Sequence, residues 1–484
     1  MNPILLEDFF KLRPRMFEKY EYPGSFRDFA QDIADIADIA GEITPRNQQV
    51  NVREGILNQV RRVMADPGAI SLSLSPELLD RQLSRYPVIS YADHHGLLNY
   101  KLLYNSNLLY GEIIKELKMP FAVALAAGNV PLDNMSYPRG FYFKKRRFNF
   151  FGAEESRSPV FLFEKKLTAD RRLGIGSFIT GEARDTLSAE EKKFLDYLFF
   201  DCLEIEKAAG LYDAFSDQIT FLNYKLWQYY FDKSLRDTMP RLIYLPSNPL
   251  VLDILCREIM NKDSLISLIL FDAGVRRVFL KNFSGTAGCW GENFGSYLFW
   301  GVSQKKKYKR LIRLSVADSS NSLVGEGENF GLALERETLV TALKAKKILP
   351  TLFFDYLIMT FLGGYLTLGG FNQLDYLPQM QRAHIKSLRE IGLDDLADRF
   401  SSHVTDGLVC GMIPCAFDSG IDLIWHYNSH NGKFNGNLEH GLTRDDLDRV
   451  LDMKVRDMIL SAVETMLENV SISVREQEGS SQCI

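Results

Sequence analysis

The residues best suited to chemistry lie in one short stretch, Pro87 to Lys101, where the run Val88-Ile89-Ser90-Tyr91-Ala92 ends in Asp93-His94-His95-Gly96. Two of the chain's seven histidines stand side by side there. An imidazole titrates near neutral pH, so either can act as general acid or base when a carboxylate or carbonyl orients it. Imidazole and carboxylate together also suit a divalent cation. A third use is structural, a histidine packed at a strand end with its nitrogens satisfied by the backbone. Position favours ligand contact: an apolar run closed by a polar, glycine-containing turn reads as a strand meeting a helix N-terminus, where open α/β sheets hold ligands.

The elements that position this turn form a βαβ pattern: a strand over Val88–Ala92, a helix over Leu97–Leu117 and a strand over Phe121–Ala126. The second strand also ends in a polar turn, Gly128-Asn129-Val130-Pro131-Leu132-Asp133-Asn134. Neighbouring parallel strands deliver their C-terminal turns to one edge of a sheet, so the two turns are expected to meet there.

Upstream, Asp32-Ile33-Ala34 recurs as a triplet through Ala40, predicting a helix with isoleucines along one side and Gly41 at its end. Val52–Met64 and Pro76–Leu83 give two more helical patterns. Ser188–Lys233 reads as a helical insertion, after which Arg241–Leu245 and Pro249–Ile259 restore a strand and a helix. Ser284–Ala317 alternates glycines, aromatics and basic residues as a hairpin does. Val404–Leu442 reads as loop-rich, with a strand at Ile421–Trp425. An amphipathic helix over Asp445–Asn469 and a polar tail, Ser471–Ile484, close the chain.

Composition sets bounds rather than an activity. At 484 residues, 46% hydrophobic and 25% charged, the chain has globular values and enough length for two or three structural units. A net charge of −5 gives no reason to expect nucleic-acid binding. Six scattered cysteines, and an N-terminal stretch Met1–Arg15 without the order of a signal peptide, point to a reducing cytoplasm. The run Ile348–Phe371 is long and apolar enough to be weighed as a membrane span. Asp355 and the pairs Gly363-Gly364 and Gly369-Gly370 argue instead for a buried helix ending in a turn, so no stable membrane insertion is expected.

Other constellations carry weaker signals. Cys410, Cys415, His426 and His430 have the order of a Cys₂His₂ zinc site but lack the finger's core, and ordinary thiols and loop imidazoles are the simpler reading. The segment His426–Gly432, with His440 downstream, fits either a pocket-covering loop or a solvated turn. The basic runs Lys144–Arg147 and Lys305–Arg310 fit solvated faces better than anion sites. The glycine-rich stretch Gly285–Gly295 is neither a P-loop nor a dinucleotide fingerprint.

Two families share short patterns with this chain. Asp93-His94-His95 resembles the phosphoesterases named for that triplet, which hold two metal ions; they also need acids on preceding strands, whereas Asp32, Asp35 and Asp38 fall on a helical pattern. A broader likeness is to the bacillithiol-synthase family of cysteine-adding enzymes. Ala92–Leu98 resembles that family's GQQxGLL strand-to-helix motif, Ala127–Asp133 its AGEDHDLD turn with one residue fewer, and Gly370-Phe371-Asn372-Gln373-Leu374-Asp375-Tyr376 its GPGEINY motif.

That resemblance implies a Rossmann-like core with helical additions and chemistry that joins an amino acid to an amine-bearing acceptor. This chain departs from the family at the paired glutamines, replaced by Asp93 and His94, at the acidic turn, replaced by Asn129-Val130-Pro131, and at the late Glu, replaced by Gln373. A changed substrate or reaction on the same scaffold is therefore expected.

The combined expectation is an α/β protein: a helical segment over 1–84, a Rossmann-like parallel-sheet core with helical and hairpin insertions over 85–400, and a loop-rich and helical segment over 401–484. The expected activity is small-molecule biosynthesis through an amide or related C–N bond. Asp93, His94 and His95 are the catalytic candidates, and Gly96, Asn99, Asn129, Asp133, Asn134, Gln373 and Tyr376 the substrate-binding ones. The partner is a small molecule such as an amino acid, with no protein-held metal assigned and the cofactor open. The alternatives are a metal-dependent phosphoesterase and a non-catalytic binding protein on the same scaffold.

Overall fold

The computed structural model describes residues 22–43, 49–63, 75–134, 140–181, 185–286, 296–317, 321–325, 327, 329–370, 372–407 and 419–457. The strands are β1 (Val88–Ser90), β2 (Phe121–Ala126), β3 (Gly140–Phe143), β4 (Arg146–Asn149), β5 (Arg241–Pro246), β6 (Phe299–Gln304), β7 (Lys309–Ala317), β8 (Ser322–Gly325), β9 (Gly331–Ala333), β10 (Ile348–Pro350) and β11 (Leu366–Leu368), followed by a two-residue pairing at Ser429–His430 and Lys433–Phe434. Six helices frame the site: α1 (Phe26–Ile43), α2 (Val50–Val63), α3 (Pro76–Arg85), α4 (Lys101–Glu116), α5 (Phe215–Tyr229) and α6 (Ser247–Met260). A seventh, α7 (Gln373–Glu390), follows β11.

The protein is a mixed α/β fold built on a four-stranded parallel sheet in the order β11-β1-β2-β5. All six residues of β2 are buried, as its unbroken run Phe-Ala-Val-Ala-Leu-Ala requires of a strand covered on both faces. Alternation assigns each side chain to a face. Val88, Ala122, Ala124, Leu242, Tyr244 and Leu366 join one apolar core, while Ile89, Val123, Leu125, Ile243 and Leu245 join the other.

Chain order runs from β1 outward through β2 to β5, then returns to the far side of β1 as β11. The direction of winding therefore reverses between β1 and β11, where open parallel sheets form a crevice at their C-terminal edge. A second sheet, antiparallel in the order β10-β6-β7-β8-β9, joins this edge because β10 leads through residues 351–365 into β11.

That passage corrects the expected single helix over Ile348–Phe371. The stretch is β10, a helical turn at Leu352–Tyr356, a π-helical segment at Leu357–Leu362, and β11. A segment buried on all sides carries no periodicity by which helix and strand can be told apart. No helix among the described residues is long and apolar enough to cross a membrane.

Smaller corrections concern single helices. Helix α1 continues past Gly41 to Ile43; the glycine serves a close approach to the end of α3, since a Cβ there would run into the Arg85 carbonyl. The isoleucines three apart drift around the helix, so Ile33 is buried while Ile39 is 58% exposed. Ile421–Trp425 lies in a helix, Gly420–Asn428, started by the Ser419 hydroxyl accepting from the Asp422 amide at 3.0 Å. The closing helix runs over Arg444–Leu451 and ends at Asp452, and residues 458–469 of its expected span lie outside the described residues. Met1–Arg15, Ala287–Gly295, Phe371, Cys410, Cys415 and Ser471–Ile484 lie outside the described residues.

One core residue predicts a pH effect. His384 on α7 is fully buried among Phe279, Phe283, Phe353, Phe361 and Phe400, with ring centroids 4.6 to 5.9 Å away, and neither nitrogen has a hydrogen-bond partner. Burial drives its pKa down to about 3. Below its unfolded value of about 6.5 the unfolded chain takes up a proton that the folded ring refuses, so stability falls with pH by about 1.4 kcal/mol per unit from this residue. His384→Leu is expected to gain about 2 kcal/mol relative to wild type between pH 8 and pH 5. Urea melts at the two pH values measure it, and an equal difference at both would contradict the burial argument.

Candidate functional site

Beyond β1 the backbone remains tied to both neighbours. The Tyr91 amide donates to the Leu368 carbonyl at 2.6 Å, the His95 amide to the Ala127 carbonyl at 2.9 Å, and the Ala127 amide to the Asp93 carbonyl at 2.8 Å. The Asp93–Gly96 and Gly128–Asn134 turns thus meet at the C-terminal edge, as their sequence positions predict. Asn223 of α5 clamps the first turn, donating to the Gly96 carbonyl at 2.8 Å and accepting from the Leu98 amide at 2.7 Å.

Asp93 is 2% exposed. One carboxyl oxygen accepts from the Asn107 amide at 2.7 Å, and the other has no hydrogen-bond partner. Burial pushes the pKa up to about 7, opposed by hydrogen bonding from Asn107 and Tyr244. The acid is therefore divided between protonated and ionised forms near neutral pH.

The two histidines have different surroundings. His94 is half-buried, with Nδ1 3.0 Å from the Asn134 side-chain oxygen. Asn134 donates its own amide to the Pro131 carbonyl at 2.8 Å, which fixes its oxygen as the acceptor toward His94. The neutral imidazole then carries its proton on Nδ1 and leaves Nε2 as the basic nitrogen. Burial holds the His94 pKa below its ordinary value.

His95 is 1% exposed, stacks on Tyr244, and has Nε2 2.9 Å from the Ser216 carbonyl. Its pKa falls to about 4 because the charged form is desolvated. Its ring is fixed within the turn, whereas His94 has Nε2 outside the hydrogen bond to Asn134.

The remaining candidates divide between support and the edge itself. Asn99 donates to the Tyr142 carbonyl at 2.8 Å and accepts from the Ile421 amide at 2.8 Å, joining the β3–β4 hairpin to the helix at 420–428. Asp133 pairs with Arg147 of β4. Asn129 donates to the Pro350 carbonyl at 2.9 Å and accepts from Asn248 at 2.8 Å, bridging the two sheets. Gly128 permits this close fit, since a Cβ there would strike the Asn248 side chain, which accepts from the Gly128 amide.

Gln373 and Tyr376 join a second polar cluster at the same edge. Gln373 donates to the Thr367 carbonyl at 2.6 Å and accepts from Tyr356 at 2.7 Å, and the Tyr356 and Tyr376 hydroxyls are 2.9 Å apart. The Tyr356 ring packs edge-on against Tyr91, whose hydroxyl donates to Asp355 at 2.7 Å and lies 3.4 Å from the Ser247 hydroxyl. Asp355 is pushed up to about 7 by burial.

Sequence reasoning had not assigned Asn107, Tyr244, Asn223, Asn248, Tyr91 or Asp355 to the site. Ser247 and Asn248, directly after β5, were open to the same strand-end rule that selected Asn129. The contacts of Asn107 and Tyr244 depend on folding.

Among the described residues, no group of three or more His, Cys, Asp or Glu is arranged to hold a metal ion. Asp32, Asp35 and Asp38 lie on α1, and the His430 and His440 rings are 5.5 Å apart without Cys410 or Cys415 among the described residues. Lys144 and Lys145 form the β3–β4 turn and Arg146 and Arg147 open β4, with Lys144 and Arg146 paired to Glu191. A separate groove of about 680 Å³ runs between α2 and α3, lined by charged residues including Arg53, Glu77 and Asp80. No family model, curated protein or solved structure matches this chain.

Proposed function

We propose that this chain is a cytoplasmic enzyme with a Rossmann-like core that forms an amide or related C–N bond between small molecules, one bearing an amine. The observation that carries the reading is the orientation of His94: Asn134 holds Nδ1 and leaves Nε2 basic at the sheet edge. An attacking amine must lose a proton as the C–N bond forms, and a neutral imidazole with Nε2 unprotonated is suited to accept it. Asp93, the residue before His94, is a buried acid of the same turn whose pKa is pushed up to about 7 by burial.

The family resemblance supports the same reading. Its three motif segments follow β1, β2 and β11, three adjacent strands ending at one edge. Incubation of the purified chain with pooled amino acids and amino sugars, with and without ATP, followed by mass spectrometry, tests the proposal. A product with the summed mass of two substrates less water, absent with His94→Ala, is expected. Metal-dependent phosphate release without any condensation product would favour a phosphoesterase instead.

A further inference from the structure

We infer that Asp355, with the hydroxyls of Tyr91 and Ser247, forms the subsite for the ammonium group of the substrate. This rests on the C–N reading and concerns an ammonium of the substrate that stays protonated, separate from the attacking nitrogen whose proton His94 accepts. The Asp355 carboxyl is 3% exposed, and only one of its oxygens is satisfied, by Tyr91 at 2.7 Å. Its other oxygen has no hydrogen-bond partner. No Lys, Arg or His of the described residues pairs with it. A buried carboxyl left half-satisfied is costly and calls for a partner.

Three features make that partner a small monocation with several N–H donors. Among the described residues Asp355 belongs to no group of three or more His, Cys, Asp or Glu that could hold a metal, so a divalent ion would lack ligands. Tyr91 and Ser247 place two further oxygens 3.4 Å from each other, and a primary ammonium, with three donors, can engage the carboxylate and adjacent hydroxyls together. The setting is also at the reacting edge: Tyr91 follows β1, Ser247 follows β5, and Asp355 precedes the π-helical segment Leu357–Leu362, a departure from α-geometry that recurs at functional sites.

Thermal melts of the full chain in ethanolamine hydrochloride, against ethylene glycol with matched sodium chloride, test the subsite. The amine should raise the wild-type melting temperature above the neutral control. Asp355→Asn should abolish that difference, Tyr91→Phe should reduce it, and Asp93→Asn should retain it. Absence of an amine-specific rise in wild type, or its persistence in Asp355→Asn, overturns the subsite. An Asp355-dependent rise in a protein that forms no condensation product would leave the subsite standing and remove the C–N reading; product formation with an unchanged KM in Asp355→Asn would do the reverse.

Discussion

His94→Ala lowers turnover by at least ~100-fold at unchanged melting temperature, the low end for loss of a general acid or base. His95→Ala behaves differently, losing about 3 kcal/mol of stability as a buried ring is removed. The separation follows from placement. His94 is half-buried and spends one nitrogen on Asn134, so its removal takes away a proton acceptor and little packing. His95 is stacked on Tyr244 and bonded to Ser216, so its removal opens a cavity beneath the turn. Steady-state kinetics and melts on both variants measure the two effects. Near-wild-type turnover in His94→Ala would remove that imidazole from the chemistry.

Asp93→Asn gains stability over wild type as pH rises from 4 to 8, by as much as about 4 kcal/mol. The folded-state pKa, about 7, lies above the unfolded carboxyl value of about 3.9. The folded form therefore binds the proton more tightly, and the stability this confers is fully present below about pH 4 and lost as pH rises through 7. Above pH 7 the wild type carries a buried carboxylate held only by Asn107 and Tyr244. Asparagine does not titrate. It replaces one carboxyl oxygen by an amide donor, a change that shifts the whole curve without changing its slope. Urea melts at pH 4, 6 and 8 read that slope, and parallel curves for the two proteins would show that Asp93 is ionised throughout. An acid that weakens the fold at working pH is the kind of residue that activity, rather than stability, retains.

The pair β1–β2 and its polar turns were legible because a buried run closed by glycine and polar residues has few other readings. β2 runs from Phe121 to Ala126 as the pattern predicts, and β5 differs from its expected span by one residue. Legibility failed where burial erased periodicity: β10 and β11 lie within the apolar run at 348–371, where Asp355 and the two glycine pairs were the marks that something was unusual. At Ile421–Trp425 four apolar residues around Asp422 fit either element, and the Ser419 cap decides for helix.

The site was readable in its strand-end residues but not in their partners. Asn107 reaches Asp93 from 14 residues away along α4, and Tyr244 reaches the His94 carbonyl across 150. Neither contact leaves a local trace. The difference between adjacent His94 and His95 is likewise set by Asn134 and Ser216, one in the next turn and the other at the start of α5.

The most direct test of a ligand crevice at the β1–β11 switch is a crystal structure with the amine-bearing substrate identified by mass spectrometry. Density is expected at the C-terminal edge, bounded by the turns after β1, β2 and β11, with the reacting nitrogen within hydrogen-bond reach of His94 Nε2. Density confined to the groove between α2 and α3, with the sheet edge empty, would contradict the account.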